Sequence, residues 1–181
     1  MTDRVLLTGI SGFLGGHVAL ALLDAGFAVR GSVRGLPKAD KVRATLSRAG
    51  ADVERLEFVA LDLLDDAGWA EAARGCRYLL HTASPFVIAM PRDRDELIRP
   101  AVDGTRRAVG AALAEGVERI VLTSSIAAIV YGHEPSHRPF TDQDWSELGK
   151  PYITAYVESK TRAEQAAWAL VDAASRRDSL V

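Results

Sequence analysis

Tyr156-Val157-Glu158-Ser159-Lys160 places a phenol and an ammonium four residues apart. On a helix the two lie one turn apart on the same face. A tyrosine phenol ordinarily ionises near pH 10, and a neighbouring positive charge favours its phenolate. The pair is therefore suited to giving or taking a proton near neutral pH. The same ammonium can reach the ribose hydroxyls beside a nicotinamide. Upstream, Thr123-Ser124-Ser125 closes an apolar run. A serine hydroxyl there can donate a hydrogen bond to a substrate carbonyl and orient it for hydride attack. Ser125 is one candidate and Ser124 its neighbour; alternation along the strand does not choose between them, because strand ends are read only to within a residue or two.

A second motif stands near the start of the chain, where Thr8-Gly9-Ile10-Ser11-Gly12-Phe13-Leu14-Gly15 follows an apolar run and opens a helical pattern. Gly9 allows a sharp exit from the strand, Gly12 lets the backbone approach a pyrophosphate, and Gly15 lets the helix pack close to the sheet. The helix start at Gly12 and Phe13 then turns free N–H groups and a positive dipole end toward the phosphates. The choice of dinucleotide is made about 20 residues further on, where NAD-binding chains carry Asp or Glu and NADP-binding chains carry cations. Arg30-Gly31-Ser32-Val33-Arg34-Gly35 contains no acid, and Lys38 and Lys41 follow. Arg34 can grip a 2′-phosphate in bidentate fashion, although such cations also suit a solvated helix start. NADP is expected, with NAD as the alternative.

Asp62-Leu63 closes a third apolar run. The Asp62 carboxylate could accept from an adenine amine or cap a helix beginning near Asp65, and the sequence leaves both open. His81, at the carboxyl edge of a fourth run where ligands sit in doubly wound sheets, reads as a hydrogen-bonded core residue rather than a catalyst.

Short β-rich runs alternating with longer helical patterns predict βαβ units and an α/β doubly wound parallel sheet, the Rossmann arrangement. Strands are expected at 5–8, 28–33, 57–61, 78–82 and 119–124, and helices at about 12–25, 37–49, 65–73, 98–115 and 152–174. Pro100 would sit in the first turn of the 98–115 helix, where its missing N–H costs little, and Gly116 would close that helix. Residues 135–151, with Asp142, Asp144 and Glu147, read as a polar excursion over a site entrance. The last residues, 175–181, resemble a turn into a sixth strand. On that reading residues 1–181 are a single dinucleotide-binding domain from a longer protein, and the 119–124 strand is left as an exposed edge prone to self-association.

Composition narrows the classes. A net charge of -2 gives no electrostatic case for nucleic acid or an anionic membrane surface. One cysteine, Cys76, cannot form an internal disulfide, and four scattered histidines give no metal-ligand spacing. No apolar run approaches the roughly 20 residues needed to span a bilayer, and Met1-Thr2-Asp3-Arg4 leads straight into a strand without the pattern of a secretory signal. A cytoplasmic location is the expectation.

These residues resemble the extended short-chain dehydrogenase/reductases of the NAD-dependent epimerase/dehydratase superfamily, and within it the dihydroflavonol reductase and cinnamoyl-CoA reductase group. The resemblance rests on the 8–15 turn, Val33-Arg34, Val121-Leu122-Thr123-Ser124-Ser125, and above all Tyr156-Val157-Glu158-Ser159-Lys160-Thr161-Arg162-Ala163-Glu164-Gln165-Ala166-Ala167-Trp168. It implies a catalytic triad of Ser125, Tyr156 and Lys160, with Tyr156 the proton donor in reduction of a small-molecule carbonyl. It also implies Gly9, Gly12, Phe13, Leu14 and Gly15 at the cofactor phosphates, Arg34 and Lys41 at the 2′-phosphate, Asp62 and Leu63 around the adenine, and Ala83 beside the cofactor. Many members of the superfamily carry an asparagine just before a Gly-Thr pair, whereas this chain has Pro100-Ala101-Val102-Asp103-Gly104-Thr105. Members also continue into a sixth strand and a small C-terminal substrate domain, which these 181 residues do not include. Two other readings keep the fold: an NAD-dependent sugar-nucleotide epimerase or dehydratase, and a dinucleotide-binding protein without turnover.

Overall fold

The computed structural model describes residues 2–85, 91–135 and 137–181. Five strands, β1 (Arg4–Thr8), β2 (Ala28–Val33), β3 (Leu56–Ala60), β4 (Tyr78–His81) and β5 (Arg119–Leu122), form one sheet in the order β3-β2-β1-β4-β5. Every pairing is parallel, with Leu7 of β1 beside Gly31 on one side and Leu80 on the other. Helices α1 (Phe13–Asp24), α2 (Ala39–Arg48), α3 (Trp69–Ala73), α4 (Asp95–Ala114) and α5 (Ala155–Ala173) cover the two faces. The chain order reverses between β1 and β4, which opens a crevice at the carboxyl ends of these two strands.

β1 shows why the sheet is buried on both sides. Successive side chains of a strand point to opposite faces, and Leu6 and Leu7 join different cores. Leu7 packs with Ile10, Ala19, Leu23 and Val29 under α1 and α2, whereas Leu6 packs with Trp69, Leu79, Ala108 and Ile120 under α3, α4 and α5. Both leucines are fully buried, and each such side chain contributes about 1.5–3 kcal/mol.

Several details differ from the sequence reading, and three of them shape the site. Helix α4 starts a turn earlier than expected, so Pro100 lies inside it rather than in its first turn. The cause is local: the Asp93 carboxylate accepts the Asp95 N–H at 2.9 Å, and Asp95 and Glu96 suit the positive end of the helix dipole. Helix α3 is shorter than expected. Asp62 and Asp65 each fold back onto the N–H two residues on, at 2.9 and 3.0 Å, and hold the chain in turns as far as Gly68, which has φ +82°. Its far end is held by Arg30 of β2, whose guanidinium donates to the Glu71, Ala72 and Arg74 carbonyls while paired with Glu57. The third difference concerns β5, whose outer edge is not left bare. Leu180 bridges Ile120 in parallel, and Val181 exchanges hydrogen bonds with Ile120 and Leu122 at 2.9 and 2.8 Å.

The 135–151 excursion docks on the segment that follows Ser125. Ser146 donates its hydroxyl to the Ala127 carbonyl at 2.8 Å and its N–H to the Ala128 carbonyl at 2.7 Å. Among the described residues no helix is long and apolar enough to cross a membrane, and no group of three or more His, Cys, Asp or Glu could hold a metal ion.

Candidate functional site

At the carboxyl end of β1, Gly9 turns the chain with φ +74°, and the Gly12 N–H closes the turn on the Gly9 carbonyl at 2.9 Å. A methyl group at Gly15 would lie 2.2 Å from that carbonyl oxygen, and one at Gly9 would lie 3.0 Å from the Ala83 backbone. The turn can therefore be built only without side chains at these points. Gly12 is less confined, its nearest neighbour being the Gly9 oxygen at 3.3 Å. The first N–H groups of α1 have no acceptor within their own helix, and Phe13 stands out beside them, 87% exposed.

From this turn a cavity of about 610 Å³ runs across the strand ends past Ser32, Arg34, Asp62, Leu63 and Ala83. That volume lies within the range of small-molecule and cofactor sites. Arg34 is exposed at its wall. Lys41 lies instead in an adjoining hollow of about 350 Å³ with Lys38 and Thr45, and the two spaces meet at Ser11 and Gly12. Leu63 rests on α4, where a methyl group at Gly104 would come within 2.4 Å of it. Of the two roles open to Asp62, the helix cap falls away, since no helix begins near Asp65 and the carboxylate closes a turn onto Leu64 instead.

The other half of the site is made of side chains. Thr154 caps α5 by accepting the Val157 N–H at 3.2 Å, which fixes the first turn and with it Tyr156. The Tyr156 hydroxyl reaches the Ser125 hydroxyl at 3.5 Å, and the Lys160 ammonium, one turn on and buried, donates to the Thr123 carbonyl at 3.3 Å. Strand β5 stops at Leu122, so both serines lie beyond it and point to different partners. Ser125 meets Tyr156, whereas Ser124 donates to the Glu164 carboxylate. Burial pushes the Lys160 ammonium below its ordinary pKa, and the Glu164 charge acts in the opposite direction.

His81 joins the two halves as a core residue, as expected. Its Nδ1 shares a 2.8 Å hydrogen bond with the Thr8 hydroxyl, which also accepts the Ala83 N–H at 3.1 Å. Burial, and then the Lys160 charge, push its pKa down to about 4, so the ring is neutral at pH 7. Sequence reasoning passed over Glu164 and Trp168, although both were visible at four-residue steps beyond Lys160.

The sequence profile described as the NAD dependent epimerase/dehydratase family matches residues 5–177. The chain belongs to that family. Among curated relatives, it is 35% identical over 175 residues to a cinnamoyl-CoA reductase of Medicago truncatula, covering 92% of this chain and 52% of the relative. It is 36% identical to a dihydroflavonol 4-reductase of Hordeum vulgare, covering 90% and 47%. The yeast methylglyoxal/isovaleraldehyde reductase Gre2, solved in complex with NADPH, superposes with a TM-score of 0.81 at 27% identity, covering 98% of this chain and 54% of that one. The chain thus spans about half the length of the curated relatives it matches. In this member of the family the glycine turn borders the larger cavity, and α5 faces the slot around Lys160 that meets it at Ala83 and Ser84.

Proposed function

We propose that this chain is the dinucleotide-binding part of an NADP-dependent oxidoreductase that reduces an aldehyde or ketone to an alcohol. The observation that carries this reading is the approach of Tyr156, Ser125 and Lys160 beyond β5, where the slot around Lys160 meets the dinucleotide cavity at Ala83 and Ser84. Relatives named as cinnamoyl-CoA and dihydroflavonol reductases, and a structural neighbour holding NADPH, support it.

The residues fit the cofactor. Tight packing at Gly9 and Gly15 brings the start of α1 up to the strand end, Gly9 and Gly12 border the cavity there, and the N–H groups of Phe13 and Leu14 suit the charge of a pyrophosphate. Arg34 offers the 2′-phosphate a bidentate cation, with Lys41 adding charge from the adjoining hollow. Asp62, Leu63 and Ala83 line the remaining wall. Bound nicotinamide supplies the hydride.

The protein's own groups do the rest. Ser125 holds the carbonyl oxygen by a hydrogen bond, and Tyr156 gives that oxygen the proton it needs as the alcohol forms. The phenolate left behind is stabilised by the Lys160 ammonium. The Arg34 guanidinium, where an NAD-holding chain would carry an acid, argues against the epimerase alternative.

Cofactor titration tests the reading directly. NADPH should bind this chain more tightly than NADH, and Arg34→Ala should remove roughly 1.5–3 kcal/mol from NADPH alone, the worth of a charge-assisted hydrogen bond. Equal affinities, or an unchanged preference in Arg34→Ala, would overturn the assignment.

A further inference from the structure

Three consecutive residues, Thr123, Ser124 and Ser125, supply partners to three different groups on α5. The Thr123 carbonyl accepts from Lys160, the Ser125 hydroxyl meets Tyr156, and between them the Ser124 hydroxyl donates to Glu164. Tyr156, Lys160, Glu164 and Trp168 follow one another at four-residue steps, so they climb one face of the helix. The Glu164 carboxylate is held from both sides: one oxygen accepts from Ser124, the other from the Trp168 indole N–H at 3.3 Å. The indole is in turn covered by the Arg177 guanidinium, 4.7 Å from its ring centre.

We propose that Glu164 is a positioning residue, whose carboxylate fixes the Thr123–Ser125 segment against α5 and supplies the counter-charge for Lys160. Lys160 sits in a narrow slot that an uncompensated ammonium enters only at a cost. The polar residues lining that slot besides Lys160 are His81 from β4, Ser84 beyond it, Thr105 from α4, Thr123 and Ser124 beyond β5, and Glu164 from its own helix. His81 is neutral at pH 7, Tyr156 is the group that Lys160 serves, and Thr105 carries no charge. Among the described residues lining the slot, Glu164 is the carboxylate that can balance the ammonium. The grip on Ser124 has a second effect. With the middle residue fastened, the flanking carbonyl and hydroxyl are presented to Lys160 and Tyr156 together, and Ser124 is withdrawn from the phenol. The choice between two adjacent serines is thus made by a carboxylate on the opposing helix.

The inference rests on the reading of Tyr156 and Lys160 as the reactive pair, so its test includes a measurement that needs no turnover. The Lys160 titration is followed on this chain by ¹³C NMR of lysine Cε, with the resonance assigned by its absence in Lys160→Met. Glu164→Gln removes the charge and keeps an acceptor for Ser124. It should lower the Lys160 midpoint by about one pH unit, the usual scale for loss of a nearby opposite charge. Ser124→Ala removes the tether and keeps the charge. It should leave that midpoint within a few tenths of a unit, yet lower kcat of the protein carrying this chain toward the roughly 10²-fold loss that an ångström of misplacement costs, with NADPH affinity unchanged.

An unmoved Lys160 midpoint in Glu164→Gln, or an unmoved kcat in Ser124→Ala, would overturn the proposal. Should Glu164→Gln fail to fold, judged by its melting curve, the kcat and affinity of Ser124→Ala decide alone. Failure of the underlying reading looks different: turnover would then survive Tyr156→Phe while the Lys160 midpoint still answered to Glu164.

Discussion

The two ends of the crevice are built from opposite materials. At the β1 end the working parts are backbone: a carbonyl and N–H groups brought together because Gly9 and Gly15 carry nothing that would obstruct them. At the β5 end the working parts are side chains held in two sets of hydrogen bonds, one between Tyr156 and Ser125 and one from Ser124 and Trp168 to Glu164. The first kind of site is specified by exclusion and needs few residues. The second is specified by partnership, and each member depends on the next. Substitutions should therefore act in different ways: at the glycine turn by strain, and at the α5 face by lost chemistry.

The largest effect should come from the side-chain end. Tyr156→Phe keeps the ring and removes the proposed proton donor, so turnover by the protein carrying this chain should fall by roughly 10²–10⁴, the usual worth of general acid catalysis. Its NADPH affinity should hold. A Tyr156→Phe protein that turned over a good carbonyl substrate at the original rate would dissolve the contrast between the two ends.

Next comes the residue that joins them. His81 is neutral in the fold, with a pKa of about 4 against 6.5 when exposed. Above about pH 6.5 folded and unfolded forms both carry the neutral ring, and this contribution to stability is fully present. As the pH falls toward 4, the unfolded chain takes up a proton that the folded chain refuses, so stability declines, by ~3 kcal/mol at most. Denaturant melts at pH 7 and pH 4.5 should diverge more in the wild type than in His81→Gln, and equal divergence would remove His81 from the account.

The backbone end should answer more weakly in energy but across both fold and binding. Gly15→Ala forces a methyl group to within 2.2 Å of the Gly9 carbonyl oxygen, and accommodation of such overpacking costs about 1–3 kcal/mol. Calorimetry should register a lower melting temperature together with weaker NADPH binding. A Gly15→Ala chain that bound NADPH normally would mean the turn has slack that its geometry does not suggest.

The same contrast governs what could be read in the sequence. Exclusion leaves a direct mark, since glycines at fixed spacing after an apolar run have few other uses, and the turn and β1 followed from it, whereas the doubly wound parallel sheet was legible from the alternation of strand and helix patterns. The Tyr156–Lys160 step was equally legible because helical spacing is local. Glu164 was legible by that rule and was missed because its partner, Ser124, is forty residues away in the chain. Strand alternation left the choice between Ser124 and Ser125 open for the same reason: it depends on what α5 presents to them, not on the strand they leave. Asp62 looks like a helix cap in sequence, but its carboxylate closes a turn onto the Leu64 N–H, and no helix starts at Asp65. Pro100 suggested a helix start that Asp93 had already made a turn earlier.

The Arg30 guanidinium carries a consequence for the order of assembly. Five residues of helix are too few to persist alone in water, and the carbonyls that end α3 find their donor on β2, some forty positions earlier in the chain. This helix cannot seed the fold. Its last carbonyls are satisfied only with β2 in place between β1 and β3, so the wall it gives the crevice through Trp69 depends on the assembled sheet.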